Sequence, residues 1–451
     1  MPHLKTIGNA TLVAYEKKCI LATDPWFGEE DDAYFGSWNL SHKIPTPIKN
    51  DIHNAEFIWF SHGHPDHLNP SSIERFKSNK ILLPDHVGSR IKDGLEQKGF
   101  DVGILPDRKW VNLSGKIKVF CITTVTQNAI LLVDINGYLF VNLNDAGDKG
   151  CTGIIKKISK NYRKKFLLTL SGYGDADMIN FYDENGDFIE PIALKNTHVG
   201  NDLSLYAKSL GLNSVIPFSS FHIYQRNDSI WTNKYTTPID AYSIKFHEDL
   251  EYIPPFAIVN CSNGEIHQIE VEKNLIEQLD SKTFGDDWTE ELNQKDLNRI
   301  SDYFSRKEKV NQFISFINFR VGNKDNFIKL KGEKNKGITF EAPRNSLMKA
   351  VNYEIFDDLL IGNFMKTTLH NMRSLYEGDF DYYVTKYADN GRAESIEELE
   401  EYFKIYNKRI GKERFYEMFL TTSKNFAKRL LPYNYEHPAY GIAKKIYFFL
   451  K

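Results

Sequence analysis

The stretch Ala55-Glu56-Phe57-Ile58-Trp59-Phe60-Ser61-His62-Gly63-His64-Pro65-Asp66-His67-Leu68 decides how the rest of the chain is read. Its first half is short and apolar, the pattern of a buried strand. Its second half packs three imidazoles and a carboxylate into six consecutive positions, His62 to His67. A strand ending in such a cluster delivers those side chains to the rim of a sheet, where a rigid scaffold can hold a metal ion. His62 and His64 are two apart with no side-chain bulk at Gly63 between them, so both can point at one ion. Asp66 and His67 follow, placed to serve a second ion or to hold a water. Imidazole and carboxylate at this density suit zinc or iron and make poor calcium ligands. Burying so many ionisable groups unpaired would be costly, which sets the metal reading above a chance cluster.

Working outward, other carboxylates and histidines fall at strand ends. Thr11 to Tyr15 and Cys19 to Thr23 flank a polar turn and read as a hairpin, with Asp24 left at the tip before Pro25. Asp24 suits a residue that orients a metal-bound histidine, as such histidines need, or a simple turn aspartate. Residues Ala129 to Ile135 and Tyr138 to Leu143 are strands joined by Asn136-Gly137, a hairpin turn signal, and the second ends at Asp145. Asn213 to Phe218 is another strand, followed by His222. Asp145 can bridge two ions about 3.5–4 Å apart, and His222 can complete the set. His198 either faces the same pocket or sits in a helix-capping loop. Histidines without company, among them His42 and His86, are read as surface or core residues. Between Gly28 and Asn50 the acidic, aromatic and proline-broken sequence reads as a long surface loop. After the cluster, Ser71 reads as the cap of a short helix.

The chain of 451 residues carries a formal net charge of −3, which gives no basic footprint for nucleic acid. Four dispersed cysteines form no CxxC pair, pointing to a reducing compartment. With no signal-like start and no apolar run near 18 residues, the expectation is a cytoplasmic protein acting on a small molecule. Strand and helix signals alternate up to about residue 250, an α/β pattern of two mixed sheets between helices. Residues 251–310 read as a charged helical connector and 311–451 as a smaller α+β unit, mostly helical toward its end, with no identifiable chemistry. In that unit 325–330 and 337–341 read as strands joined by a turn, and a helix is expected from Asn345 through Leu360. The end, Lys444 to Lys451, reads as an element packed on this unit in preference to a membrane contact.

Gly8-Asn9-Ala10-Thr11, Thr23-Asp24-Pro25-Trp26 and SHGHPDHL, in that order, resemble the metallo-β-lactamase fold superfamily over about residues 4–245. The resemblance implies an αββα sandwich with metal at one edge of the two sheets. Within it, FIWFSHGHPDHLNPSSIERF, Asn142 to Asp145, Ile216-Pro217-Phe218 and the distant Phe356-Asp357-Asp358-Leu359-Leu360-Ile361-Gly362 are similar to the CMP-N-acetylneuraminate hydroxylase family. Two departures stand out. That family opens with a Rieske iron–sulfur domain, whose paired cysteine and histidine ligands this sequence lacks. The superfamily also usually places a histidine in the region Thr123 to Asn128, where Gln127 or Thr124 stands here.

These features lead to a metal-dependent hydrolase, with one or two zinc or iron ions activating water against a phosphodiester, lactone or amide. Asp66 would position that water or bind the second ion. The alternative from the resemblance is an iron-dependent oxygenase of a nucleotide sugar or related metabolite, fed by a separate electron-donor protein. A binding protein without a working metal site is the third reading, set against the intact His62, His64, Asp66 and His67.

Overall fold

A computed structural model describes residues 1–28, 31–170, 178–191, 199–219, 221–275 and 277–411. His198 and the segment Lys444 to Lys451 lie outside these residues.

Two large sheets form the first part of the molecule. One has eight strands in the order Ile266–Gln268, Ala257–Asn260, His3–Ile7, Thr11–Tyr15, Cys19–Thr23, Phe57–Trp59, Lys80–Pro84, Val102–Leu105. The last four run parallel and the others antiparallel. The other sheet has seven strands: Glu251–Tyr252, Ser214–Pro217, Lys164–Thr169, Tyr138–Asn144, Ala129–Ile135, Ile117–Thr123, Trp110–Asn112. Alternation along the strands sorts the core into layers. Leu21, Trp59 and Leu82 join Cys121, Leu131, Phe140 and Ile216 in one apolar cluster between the sheets. Their neighbours Ala22, Ile58 and Ile81, with Ile122, Leu132 and Val215, join the cluster that takes in Ile48, Ile52, Ile155, Leu203 and Ala207 from the flanking helices. The result is an αββα sandwich, the architecture that the resemblance implies. Ala129–Ile135 is buried along its whole length, as a strand covered on both faces must be. Asn136 and Gly137 both take positive φ, the turn their residue types favour.

A second core is built on a five-stranded sheet in the order Phe181–Tyr182, Lys366–His370, Glu333–Glu341, Ile314–Val321, Lys324–Lys329. The strands at 324–329 and 333–341 are not paired with each other, contrary to the expected hairpin. Both flank Ile314–Val321, the better buried strand, one antiparallel and one parallel. The expected long helix from Asn345 is two helices, Arg344–Tyr353 and Phe356–Ile361, interrupted where Glu354 turns left-handed (φ 53°).

Three further expectations are corrected. The stretch 251–310 is not a helical connector: Ala257–Asn260 and Ile266–Gln268 extend the eight-stranded sheet. Its long helix begins only at Gln294, under a capping box of Asn293 and Asp296. Gly28 to Asn50 is not a surface loop. Ala33, Tyr34, Trp38 and Leu40 are buried, and Trp38–Leu40 pairs antiparallel with His222–Tyr224. Its charge is absorbed: Asp31 accepts from Ser72 Oγ at 2.8 Å and pairs with Arg75. Ser71 makes no side-chain cap; Asn69 Oδ1 accepts from the Ser71 and Ser72 amides instead. The four cysteines are free and buried. Among the described residues no helix is long and apolar enough to cross a membrane.

Candidate metal centre

The C-terminal ends of strands from both sheets meet at one edge. Phe57–Trp59 leads to Ser61–His67, Cys19–Thr23 to Asp24, Tyr138–Asn144 to Asp145, and Ser214–Pro217 to Ser219 and His222. Asp24, Asn144 and Ser219 take φ of 42°, 50° and 65° at these tips. Left-handed backbone at non-glycine residues costs about 1–3 kcal/mol each and persists where surroundings over-determine it. Here it occurs at the ends of three of the strands that lead to the cluster.

Ligand-capable atoms gather in two groups that share a member. His62, His64 and Asp145 form one, Asp66, His67 and Asp145 the other, with donor atoms in each within 4.8 Å of one another. In the first, His62 Nε2 lies 2.8 Å from His64 Nδ1 and 3.7 Å from Asp145 Oδ2. His62 Nδ1 contacts Ser61 Oγ at 2.8 Å, which leaves Nε2 for the cluster. In the second, His67 Nε2 faces Asp66 Oδ2 at 3.3 Å and Asp145 Oδ2 at 3.2 Å.

The outer contacts orient these groups. Asp24 accepts from the Ser61 amide at 2.7 Å and from Asn144 at 2.5 Å, and stands 3.3 Å from His67 Nδ1. Asp66 accepts from Asn9 Nδ2 at 2.8 Å and from the Tyr34 hydroxyl at 2.5 Å. Ser219 donates to Asp145 at 3.2 Å. Burial, with His67 and His64 as cationic neighbours, holds His62 well below its ordinary pKa. Burial alone would lower His67 as well, but Asp66, Asp145 and Asp24 outweigh it and hold its proton affinity well above normal. A cation between these oxygens and nitrogens is what the arrangement favours.

The residues fit a metal ion on this geometry. Among the described residues, His67 Nε2 is buried without a hydrogen-bond partner, as are both ring nitrogens of His222. Burial lowers His222 to a pKa of about 3, leaving its lone pair available at neutral pH. The structure therefore brings together His62, His64, Asp66, His67 and Asp145, with Asp24 behind His67. His222 belongs to neither of these groups; its ring stacks on Trp38 with centroids 3.3 Å apart, and the Asp66 charge acts on it. Gln127 is turned to another task, donating to the Val87 carbonyl at 3.0 Å and the Tyr402 hydroxyl at 3.1 Å. Thr124 is tied to Asn128 O at 2.8 Å. Neither replaces the expected histidine.

Four residues escaped the sequence reading. Tyr34 came with the supposed loop. His86 reads as solitary in the sequence, yet it is half-buried, its pKa lowered to about 4 by desolvation of the ring, in the wall of a cavity that His62 and His64 also line. Asp357 Oδ2 stands 2.6 Å from His64 Nε2, and Lys386 Nζ 3.0 Å from the same nitrogen. The only sequence signal for Asp357 was the resemblance carried by residues 356–362.

No family model matches the chain. A "Putative Rieske 2Fe-2S iron-sulfur protein" of Mycolicibacterium smegmatis is 28% identical over 105 residues, 22% of this chain and 19% of that protein. A cytidine monophosphate-N-acetylneuraminic acid hydroxylase of Danio rerio is 22% identical over 131 residues, 27% of this chain and 22% of that protein. The matches thus span about a fifth of these curated relatives. Among solved structures, an isothiocyanate hydrolase from Delia radicum gut bacteria superposes with a TM-score of 0.39 at 15% identity, covering 59% of this chain and 99% of that one. That score is too low to carry weight, so the sandwich is read from the strand order above. The chain resembles the metallo-β-lactamase superfamily, and over short segments the CMP-N-acetylneuraminate hydroxylases.

Proposed function

We propose that the chain is a metal-dependent hydrolase of a small molecule carrying a phosphodiester, lactone or amide, such as a sugar phosphate or nucleotide sugar. One observation carries this reading: Asp145 belongs to both ligand groups, as a carboxylate shared by two ions would. His62, His64 and Asp145 would hold one divalent ion, zinc or iron, and Asp66, His67 and Asp145 the other, with His222 beside it. When bound, such ions lower the pKa of water toward about 7 and polarise the scissile oxygen.

The chain's own residues prepare that site. Asp66, ionised and held by Asn9 and Tyr34, offers an oxygen that can orient a water. Ser61 and Asp24 keep the His62 and His67 rings turned inward. Burial and the Asp66 charge hold the Tyr34 phenol protonated, so it stays a donor. Phe60, Leu83, Ile91 and Ile104 are among the residues that line a cavity of about 90 Å³ beside His62 and His64, and they give it apolar surface. The test is turnover of model diesters, lactones and amides by zinc-loaded protein without oxygen. Silence across that panel, in protein shown to hold its ions, would overturn the reading.

The curated relatives favour a second reading, an iron-dependent oxygenase supplied by a separate electron donor. Anaerobically purified protein containing iron, with substrate-dependent oxygen uptake, supports it; zinc-only protein that consumes no oxygen rules against it.

A further inference from the structure

We propose that Asp357, held in place by Lys386, is a positioning residue for the metal ligand His64, so that the second unit completes the centre of the first. The inference rests on the metal reading above and adds to it a part from a different core. An imidazole ligates through one nitrogen only when that nitrogen carries a lone pair and the other carries the proton, and the partner of the second nitrogen decides which is which. His64 turns Nδ1 toward His62 Nε2 (2.8 Å) and Nε2 toward Asp357 Oδ2 (2.6 Å). A carboxylate accepts and cannot donate, and Asp357 Oδ2 is nearer to Nε2 (2.6 Å) than is Lys386 Nζ (3.0 Å), whose ammonium donates to that same Oδ2; Nε2–H therefore donates to Asp357 and the Nδ1 lone pair is left facing the cluster.

Asp357 is a deliberate visitor at this edge. It opens the helix Phe356–Ile361, packed by Phe356, Leu359 and Leu360 into the second core. Its charge is matched by Lys386, whose ammonium donates to the same Oδ2. Lys386 sits on a π-helix, Tyr382–Asn390, a rare conformation found often at functional sites.

The contact between the two units does not need this pair. Arg90 donates to the backbone carbonyls of Glu354 at 2.7 Å and Asp389 at 3.3 Å. Gln127 reaches Tyr402 at 3.1 Å, and Tyr402 donates to the Val125 carbonyl at 2.5 Å. Those contacts are neutral on at least one side and distribute the interface over several segments. A buried ion pair placed on a metal ligand's free nitrogen adds little to such an interface, whereas it fixes the tautomer that ligation requires.

The test is cobalt(II) binding by the full chain, read by competition with a chromophoric chelator and by the visible spectrum of the bound ion. Wild type, Asp357→Asn and the double variant Asp357→Asn/Lys386→Met are compared, each with a melting curve of the metal-free protein. Loss of carboxylates behind metal histidines costs about 10–100-fold in affinity. Both variants are expected to weaken cobalt binding by that factor and to shift its absorption bands, with metal-free melting unchanged in the double variant. Wild-type affinity and spectrum in both variants would overturn the inference. If neither variant folds, Lys386→Met alone serves: weaker cobalt binding supports the assignment and unchanged binding overturns it. A wild-type chain that takes up no cobalt, zinc or iron overturns the metal reading beneath it, an outcome distinct from the others.

Discussion

The sandwich and the second unit each bury a group of ionisable side chains, and the two groups are satisfied in different ways. In the second unit, Lys307 Nζ donates to Asp389 Oδ1 at 2.5 Å, the Tyr303 hydroxyl donates to Asp389 Oδ2 at 2.6 Å, and the ammonium lies over the Tyr303 ring. Every charge there has its counterpart, as a buried structural ion pair requires. At the sandwich edge, three carboxylates and three imidazoles converge, and among the described residues His67 Nε2 and both nitrogens of His222 are left without a hydrogen-bond partner. Two buried polar clusters in one chain, one closed and one with electron pairs to spare, separate structural charge from charge arranged to hold something. The Asp357–Lys386 pair lies where the two meet: closed within itself, yet applied to a ligand of the open cluster.

The largest effect should come from the shared carboxylate. Asp145→Asn is expected to reduce cobalt uptake at both positions and to lower kcat/KM on any substrate found by about a thousandfold or more, the loss of several kcal/mol of charge stabilisation. Metal stoichiometry at wild-type level in this variant would break the comparison. Next is Lys307→Met, which strands Asp389 without its cation. Removing one partner of a buried pair costs about 3–5 kcal/mol, read by denaturant unfolding, while cobalt uptake stays as in wild type. Impaired uptake would show that the closed cluster also serves the site.

The smallest effect is a pair of opposed pH slopes. Burial and the Asp357 charge raise Asp381 to about 7. The folded chain therefore holds that proton more tightly, and the stability it gives is full below about pH 4 and is lost as pH rises through about 7. Burial alone lowers His42 to about 3, so its contribution is full above about pH 6.5 and is lost as pH falls toward 3. Each slope is at most about 1.4 kcal/mol per pH unit, and between about pH 4 and 6.5 they cancel in part. Asp381→Asn should steepen the acid loss in that range, and His42→Phe, beside Phe221 and Phe256, should make it shallower. Thermal melts across pH 4–8 check both.

What could be read from the sequence was whatever chemistry lay close together along it. SHGHPDHL is one loop, and Asp24 and Asp145 sit at strand tips that a parallel arrangement brings to one edge. Tyr34 and Trp38 were hidden because EEDD beside them was taken for solvent-facing charge. Asp31 is buried, paired with Arg75 and accepting from Ser72, and no local pattern announces those partners. Asp357 and Lys386 were out of reach for another reason. They lie some three hundred positions from His64 and belong to a different core, so periodicity and spacing say nothing of the contact. The strands at 257–260 and 266–268 return to the first sheet after the helices of the second, a non-local pairing that charge composition masked as a connector.

Within the ligand set, His64 and the shared Asp145 stand nearer to solvent than His62, Asp66 and His67. Asp24 and His67 side chains are fully covered and Asp66 is 4% exposed, whereas His64 and Asp145 are 13% and 14% exposed. Trp38 is buried with its ring stacked on His222. An ion held through His64 would thus stand nearer to solvent than one held by Asp66 and His67. A chelator should strip a fully loaded protein in two phases, the outer ion quickly and the inner one on the timescale of local unfolding.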